Sequence, residues 1–193
     1  MALSFHLDDE QKAFLSRQAR LSIESVLDGN GDAKPLWPGP ECAEHGDGLV
    51  LSRDLGSFVT LTQGGALRGC IGTIVGHEPL YLNVWNMARQ AAFSDPRFPP
   101  LAADEWNRTT MEISVLDQPA LCPDWQRIVI GRDGLILSYQ GRNGVFLPQV
   151  PVEQGWNREE YLDHLCIKAG VPVGSWRLPE AVLYWYQALV FPA

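Results

Sequence analysis

Residues 64–73, GGALRGCIGT, place Cys70 two positions from Arg68 and between Gly69 and Gly72. A guanidinium beside a thiol favours the thiolate, which is the nucleophilic form of cysteine. Glycines on either side remove side chains that would crowd the sulfur and let a ligand or another backbone approach. If the stretch is a strand, alternation puts Arg68, Cys70 and Gly72 on one face and Leu67, Gly69, Ile71 and Thr73 on the other. Two readings are open. Cys70 is a nucleophile activated by Arg68, or it is a buried structural cysteine in a glycine-kinked strand while Arg68 pairs with an acid elsewhere.

Other residues with chemical potential lie further along the chain. In SDPRFPP, Asp95 and Arg97 flank a proline. They form either a rigid turn in which Asp95 accepts local N–H groups or an ion-pair platform beside the thiol. Glu112 sits among Met, Ile and Val as a solvent-exposed or salt-bridged carboxylate, or as an acid/base group. Gln149, Glu153 and Gln154 interrupt an apolar, proline-containing run that reads as an edge strand entering a loop. His77 is a general base or simply a neighbour of a helix start. Trp156 and Trp176 read as packing residues. Zinc could be drawn to Cys42 and His45 with His164 and Cys166, but the last two are two apart on a helix and do not face one way. No metal and no cofactor is therefore expected. Nucleophile-elbow, dinucleotide-binding, Walker and zincin patterns are absent.

These residues need elements to hold them. LDDEQKAFLSRQARLSIESVLDG predicts an amphipathic helix capped by Asp8 with Gln11 as box partner and stopped at Gly29. Phe14, Leu15, Ala19, Ile23, Val26 and Leu27 form its core face. A polar Gly/Pro-rich connection comes next, with a functional or mobile role expected for its length. SFVTLTQGGALRGCIGTIV predicts two strands turning at Gln63–Ala66, PLYLNVWNMARQAAF a helix, and TTMEISVLDQP a strand with Met111, Ile113 and Val115 on one face and Glu112 and Ser114 on the other. DGLILSYQGRNGVFLPQV predicts a second hairpin turning at Gly141–Gly144. NREEYLDHLCIKAG predicts a helix with an Asn157/Glu160 box, and EAVLYWYQALVF a closing strand. Hairpin, helix and strand thus recur about 70 to 80 residues apart, the spacing of an internal duplication. The expected class is α+β with mostly antiparallel sheets, in two interlocked subdomains built from that repeated unit.

The chain of 193 residues carries a formal net charge of −8, which argues against nucleic-acid binding. No apolar stretch approaches about 18 residues, and the first residues lack a basic start and an apolar run, so neither a membrane span nor a signal peptide is expected. The four cysteines are far apart and read as free thiols in a cytoplasmic protein.

GSFVTLT, GALRGCIGT, NMARQAAFSDPRFPPL, MEISVL, GRNGVFLPQVPVEQGW and YLDHLCIKAG, in this order, resemble the AMMECR domain family, also called AmmeMemoRadiSam system protein A. The resemblance runs from about residue 5 to the C-terminus and rests chiefly on LRGCIG at Leu67–Gly72. It implies a cytosolic α+β domain spanning residues 1–193, with a cleft between two subdomains that the signature faces. It also implies a shared pathway with Memo-like and radical-SAM proteins, and an activity without an assigned reaction. Positions matched by motif are Arg68, Gly69 and Cys70; Asp95, Arg97 and Phe98; Glu112; and Gln149. The insert around residues 30–47 is the least family-like part. Together these readings point to an enzyme in which Cys70, Arg68 and Glu112 are catalytic. Gly69, Asp95, Arg97, Phe98 and Gln149 would bind a small organic substrate or peptide. The alternative is a non-catalytic binding or adaptor module for those partner proteins.

Overall fold

The computed structural model describes residues 3–39 and 50–193. Asp8 opens the first helix, α1 (Asp9–Leu27). Its carboxylate accepts the Gln11 N–H while the Gln11 side chain returns to the Asp8 N–H, so two donors at the helix start are satisfied reciprocally. Phe14, Leu15, Ala19 and Ile23 are buried as the spacing predicts, whereas Val26 and Leu27 are only half-buried near the helix end. Gln18 and Ser22 join the buried face. Gln18 holds the Leu36 backbone through both its amide N and O, and Ser22 donates to the Trp85 carbonyl.

Strands β1 (Asp54–Gln63) and β2 (Ala66–Pro79) form an antiparallel hairpin. Gly64 and Gly65 both have positive φ, 55° and 82°, the pair of left-handed residues that a tight two-residue hairpin turn requires. Helix α2 (Leu80–Phe93) is next, then the one-turn α3 (Ala103–Trp106) and strand β3 (Thr109–Leu116). Met111, Ile113 and Val115 are buried as expected, but Ser114 is buried too. Ser57 of β1 donates to Asn83 of α2 at 2.5 Å, and Asn83 in turn donates to Thr73 of β2 at 3.2 Å. This buried polar link registers the helix on the sheet.

Strands β4 (Ala120–Leu121), β5 (Gly134–Tyr139) and β6 (Arg142–Phe146) come next, then the one-turn α4 (Val150–Glu153) and helix α5 (Arg158–Ala169). The chain ends in β7 (Val182–Tyr186) and β8 (Ala188–Pro192). Asn157 caps α5 with Glu160 as its box partner, and Gly170 stops it at φ 70°. The second hairpin turns at Gln140–Gly141 rather than across Gly141–Gly144. Both turn residues have positive φ, so Arg142, Asn143 and Gly144 already belong to β6. The expected single closing strand is two strands serving different sheets. One sheet has the order β2-β1-β3-β8 and the other β4-β7-β5-β6.

The chain divides into two compact units, Leu3–Gln118 with Leu189–Ala193, and Pro119–Ala188. The first buries Leu15, Ile23, Val59, Leu61, Val84, Ala88, Ile113 and Val115; the second buries Ile128, Leu135, Leu137, Tyr161, Leu162, Leu165 and Trp185. In each, a hairpin, a helix and a strand occur in order, and the first hairpin strand sits between the other two. The resulting class is α+β with antiparallel sheets, as the sequence predicts. Among the described residues no helix is long and apolar enough to cross a membrane.

One packing detail recurs in both units. A Cβ at Gly69 of β2 would collide with the Ala91 carbonyl of α2, and one at Gly144 of β6 with the Leu165 carbonyl of α5. Each glycine lets a helix backbone approach its hairpin. We expect Gly69→Ala and Gly144→Ala each to cost about 1–3 kcal/mol in denaturant unfolding, because only backbone movement relieves the clash. Gly31→Ala, where a Cβ meets nothing within 4 Å, is the control and should stay within about 0.5 kcal/mol of wild type.

Candidate functional site

Cys70 lies on β2 at the edge of its sheet. An edge strand leaves alternate backbone groups without a neighbouring strand. At Cys70 those groups are filled by the SDPRF loop. The Asp95 carboxylate accepts the Cys70 N–H at 2.9 Å, and Arg97 Nη2 donates to the Cys70 carbonyl at 3.1 Å. Asp95 and Arg97 are joined by two further bonds, Nε to Oδ1 at 2.9 Å and Nη2 to Oδ2 at 2.7 Å, and the Arg97 N–H also reaches Oδ1. The ion pair therefore stands where the backbone of a next strand would stand. Prolines 96, 99 and 100 keep the loop out of the preceding helix, which brings Asp95 back to β2.

Since the Cys70 backbone points outward, Cys70 and its partner Thr60 form a non-hydrogen-bonded pair, the closer of the two antiparallel spacings. Their side chains meet, with Thr60 Oγ1 donating to Cys70 Sγ at 3.3 Å. Thr60 also stands opposite Glu112 of β3. Cys70, Thr60 and Glu112 thus form one row across three strands. Glu112 is exposed, and among the described residues its carboxylate has no hydrogen-bond or ion-pair partner. The row spans two inter-strand spacings, about 10 Å between end Cα atoms, with Thr60 between Cys70 and Glu112. The neighbouring row pairs the Thr62 and Thr110 hydroxyls at 2.6 Å.

The guanidinium serving Cys70 is that of Arg97, whereas sequence alternation points to Arg68. The β1–β2 register shifts by one residue between Leu61 and Thr62, so that Thr62 faces Leu67 and Leu61 faces Gly69. Arg68 is the extra residue of this bulge, and Leu67 moves to the face carrying Thr60. Arg68 is 8% exposed and grips Glu105 of α3 with two bonds of 2.9 Å, Nε to Oε1 and Nη2 to Oε2. Phe98 is half-buried between the two cations, 5.9 Å from the Arg68 guanidinium carbon and 5.5 Å from that of Arg97.

The carboxylates respond accordingly. Glu105 is held down to about 2 by the Arg68 hydrogen bonds first and by the Ala102 N–H second. Asp95 lies well below the usual carboxylate range, chiefly through Arg97 and further through the Cys70 N–H. Arg97 is held charged mainly by Asp95, with the Cys70 side chain contributing as well.

Of the remaining expected residues, Gly69 is the close-packing position against α2. Gln149 belongs to the other unit, where it is half-buried at the start of α4 and makes no capping bond. β6 is the edge strand expected before it, and beyond Gln149 the chain makes one helical turn instead of a loop. His77 is exposed near the end of β2. Cys166 is fully buried, and His164 stacks on Trp156 at 3.9 Å. Cys42 and His45 lie outside the described residues, with the rest of the insert from residue 40 on. Thr60 and Glu105 were not singled out by sequence. Thr60 depends on the bulged register, and Glu105 carries no local signal beyond its place in the first turn of a short helix.

Both carboxylates are ionised at lower pH in the folded chain than in the unfolded one. Their pairs contribute stability that is full above the unfolded values, near pH 4–4.5, and is lost as pH falls toward the folded values. We expect the unfolding free energy to fall steeply between about pH 5 and about pH 2, and less steeply in Glu105→Gln. Equal acid sensitivity in variant and wild type would show that the Arg68–Glu105 pair does not carry it. Asp95→Ala, which strands the Cys70 N–H, should cost about 2–3 kcal/mol at neutral pH.

The AMMECR1 family model matches residues 16–191. The Methanocaldococcus jannaschii protein MJ0810 is 38% identical over 94% of this chain and 90% of its own length. The Thermococcus kodakarensis protein TK0174 is 36% identical over 97% of this chain and 92% of its own. The crystal structure of the uncharacterized protein PH0010 from Pyrococcus horikoshii superimposes with a TM-score of 0.82 at 36% identity, covering 97% of this chain and 94% of that one. With the LRGCIG strand, the DPRF plug and this coverage together, the chain belongs to the AMMECR1 family.

Proposed function

We propose that the chain is a cysteine-dependent enzyme acting on a small organic electrophile at the β2–β1–β3 face. What supports this is that every polar group of Cys70 is held in place: N–H by Asp95, carbonyl by Arg97, sulfur by Thr60, with the Arg97 cation alongside. In this reading the Cys70 sulfur bonds to an electrophilic carbon of the substrate, and the leaving group departs with a proton delivered through Glu112. Water, deprotonated by Glu112, then breaks the sulfur–carbon bond and returns the thiol. Arg97 stabilises charge that develops on the substrate. Asp95 is a positioning residue that holds Arg97 and the Cys70 backbone, and Arg68 acts one step further out through Glu105 and Phe98.

The second reading is a binding module, serving the Memo-like and radical-SAM proteins that the family resemblance implies. It is favoured by the close packing of Gly69 on α2, which gives LRGCIG a structural task without chemistry. Iodoacetamide alkylation of the native protein, read at each cysteine by peptide mass spectrometry, separates the two. Cys166 is fully buried and should react only on unfolding. Cys122, whose thiol is pushed up by burial, should react slowly. Of the three described cysteines Cys70 should react first, and Arg97→Gln should slow it about tenfold. A Cys70 that waits for denaturant would sink the enzyme reading and leave the binding module.

A further inference from the structure

The Asp95–Arg97 plug covers the edge of β2 at Cys70 and goes no further. The β1–β2 register runs unbroken from Leu61↔Gly69 to Leu55↔Val75. Alternation therefore turns the backbone groups of Gly72 and Ile74 outward, as it does those of Cys70. Among the described residues neither outward N–H has a hydrogen-bond partner. Gly72 and Ile74 are half-buried, and Val75 is 43% exposed. Gly72 carries no side chain, and the Phe58 ring of β1 lies over it on the Cys70 face.

We propose that this stretch, Gly72 to Val75, takes an extended peptide as an added strand. Its main chain pairs with Gly72 and Ile74, and one of its side chains lies beside the Cys70 sulfur. The inference deepens the thiol-site reading by naming the substrate class, and it rests on that reading only for the role of Cys70. The occupant is peptide-sized because the free edge offers two outward residues, bounded by the ion pair at one end and by the register shift near Asp54 at the other. That is too little for two folded domains to share. A second copy is further disfavoured by the net charge of −8 that each chain carries. Asp95 and Arg97 already use this edge in strand fashion, one group accepting from and one donating to the same residue. A peptide continues the pattern where they stop.

The probe is a blocked pentapeptide, a cysteine followed by alternating threonine and valine, activated as the mixed disulfide with 5-thio-2-nitrobenzoate. Attack by a protein thiol forms the protein–peptide disulfide and releases the thionitrobenzoate anion. The peptide is attached at Cys70 in wild type and, separately, at position 75 in Cys70→Ser/Val75→Cys. Hydrogen exchange at Gly72 and Ile74 is then monitored by NMR. Both tethers should slow exchange at these two amides at least about tenfold, and a fully backbone-N-methylated peptide should not. No slowing from either tether, or equal slowing by the N-methylated peptide, overturns the proposal. So does protection that rises with protein concentration before peptide is added, since the occupant is then a second copy. If Cys70 refuses the disulfide while the position-75 tether protects both amides, the thiol reading fails and the peptide edge stands.

Discussion

Everything at this site hangs on one buried carboxylate. Asp95 is 3% exposed and accepts from the Cys70 N–H, the Arg97 N–H and the Arg97 guanidinium at once. A desolvated carboxylate is tolerable only when its lone pairs are filled by well-placed donors. Here the donors come from a strand edge and from two residues along its own loop, so satisfying the charge also welds the loop to the sheet. The Arg97 cation, fixed by that weld, reaches the Cys70 carbonyl and stands beside its side chain.

The second ion pair repeats the device one layer out. Arg68 is nearly buried and engages Glu105 through a planar two-point fork that lysine could not reproduce. Phe98 lies between the two guanidinium groups, so that paired charges flank an aromatic ring. Neither arginine is a loose surface cation, because each is fixed by its acid before any ligand arrives. Both cations are thus held in place by contacts within the chain itself.

The recurrence of hairpin, helix and strand carries a functional contrast. Both units place a glycine where a helix carbonyl meets the second hairpin strand, Gly69 under Ala91 and Gly144 under Leu165. That shared constraint belongs to packing. What differs is the edge. In β2 the residue after Gly69 is a cysteine plugged by an ion pair, whereas in β6 the residue after Gly144 is Val145. The cysteine and its ion pair thus belong to one unit alone, while the glycine packing is common to both.

Much of the fold was legible along the chain because its signals are local. The Asp8/Gln11 and Asn157/Glu160 boxes, the glycine stops and the two-residue Gly64–Gly65 turn act within a few residues of themselves. The residue types of the site were legible too, since cysteine, paired glycines and Asp-Pro-Arg carry chemistry wherever they fold. Which of them meet was a tertiary decision. Counted back from the turn without a bulge, Cys70 would stand opposite Val59 and face the core; the extra residue at Arg68 sets it opposite Thr60 on the polar face. The same bulge leaves Arg68 without a partner on β1 and available to Glu105, a residue 37 positions away. Asp95 reaches Cys70 across 25 positions. Alternation along a strand determines faces only while the register is unbroken, and the contacts that choose between two arginines for one thiol exist only once the sheet edge, the helix and the loop have come together.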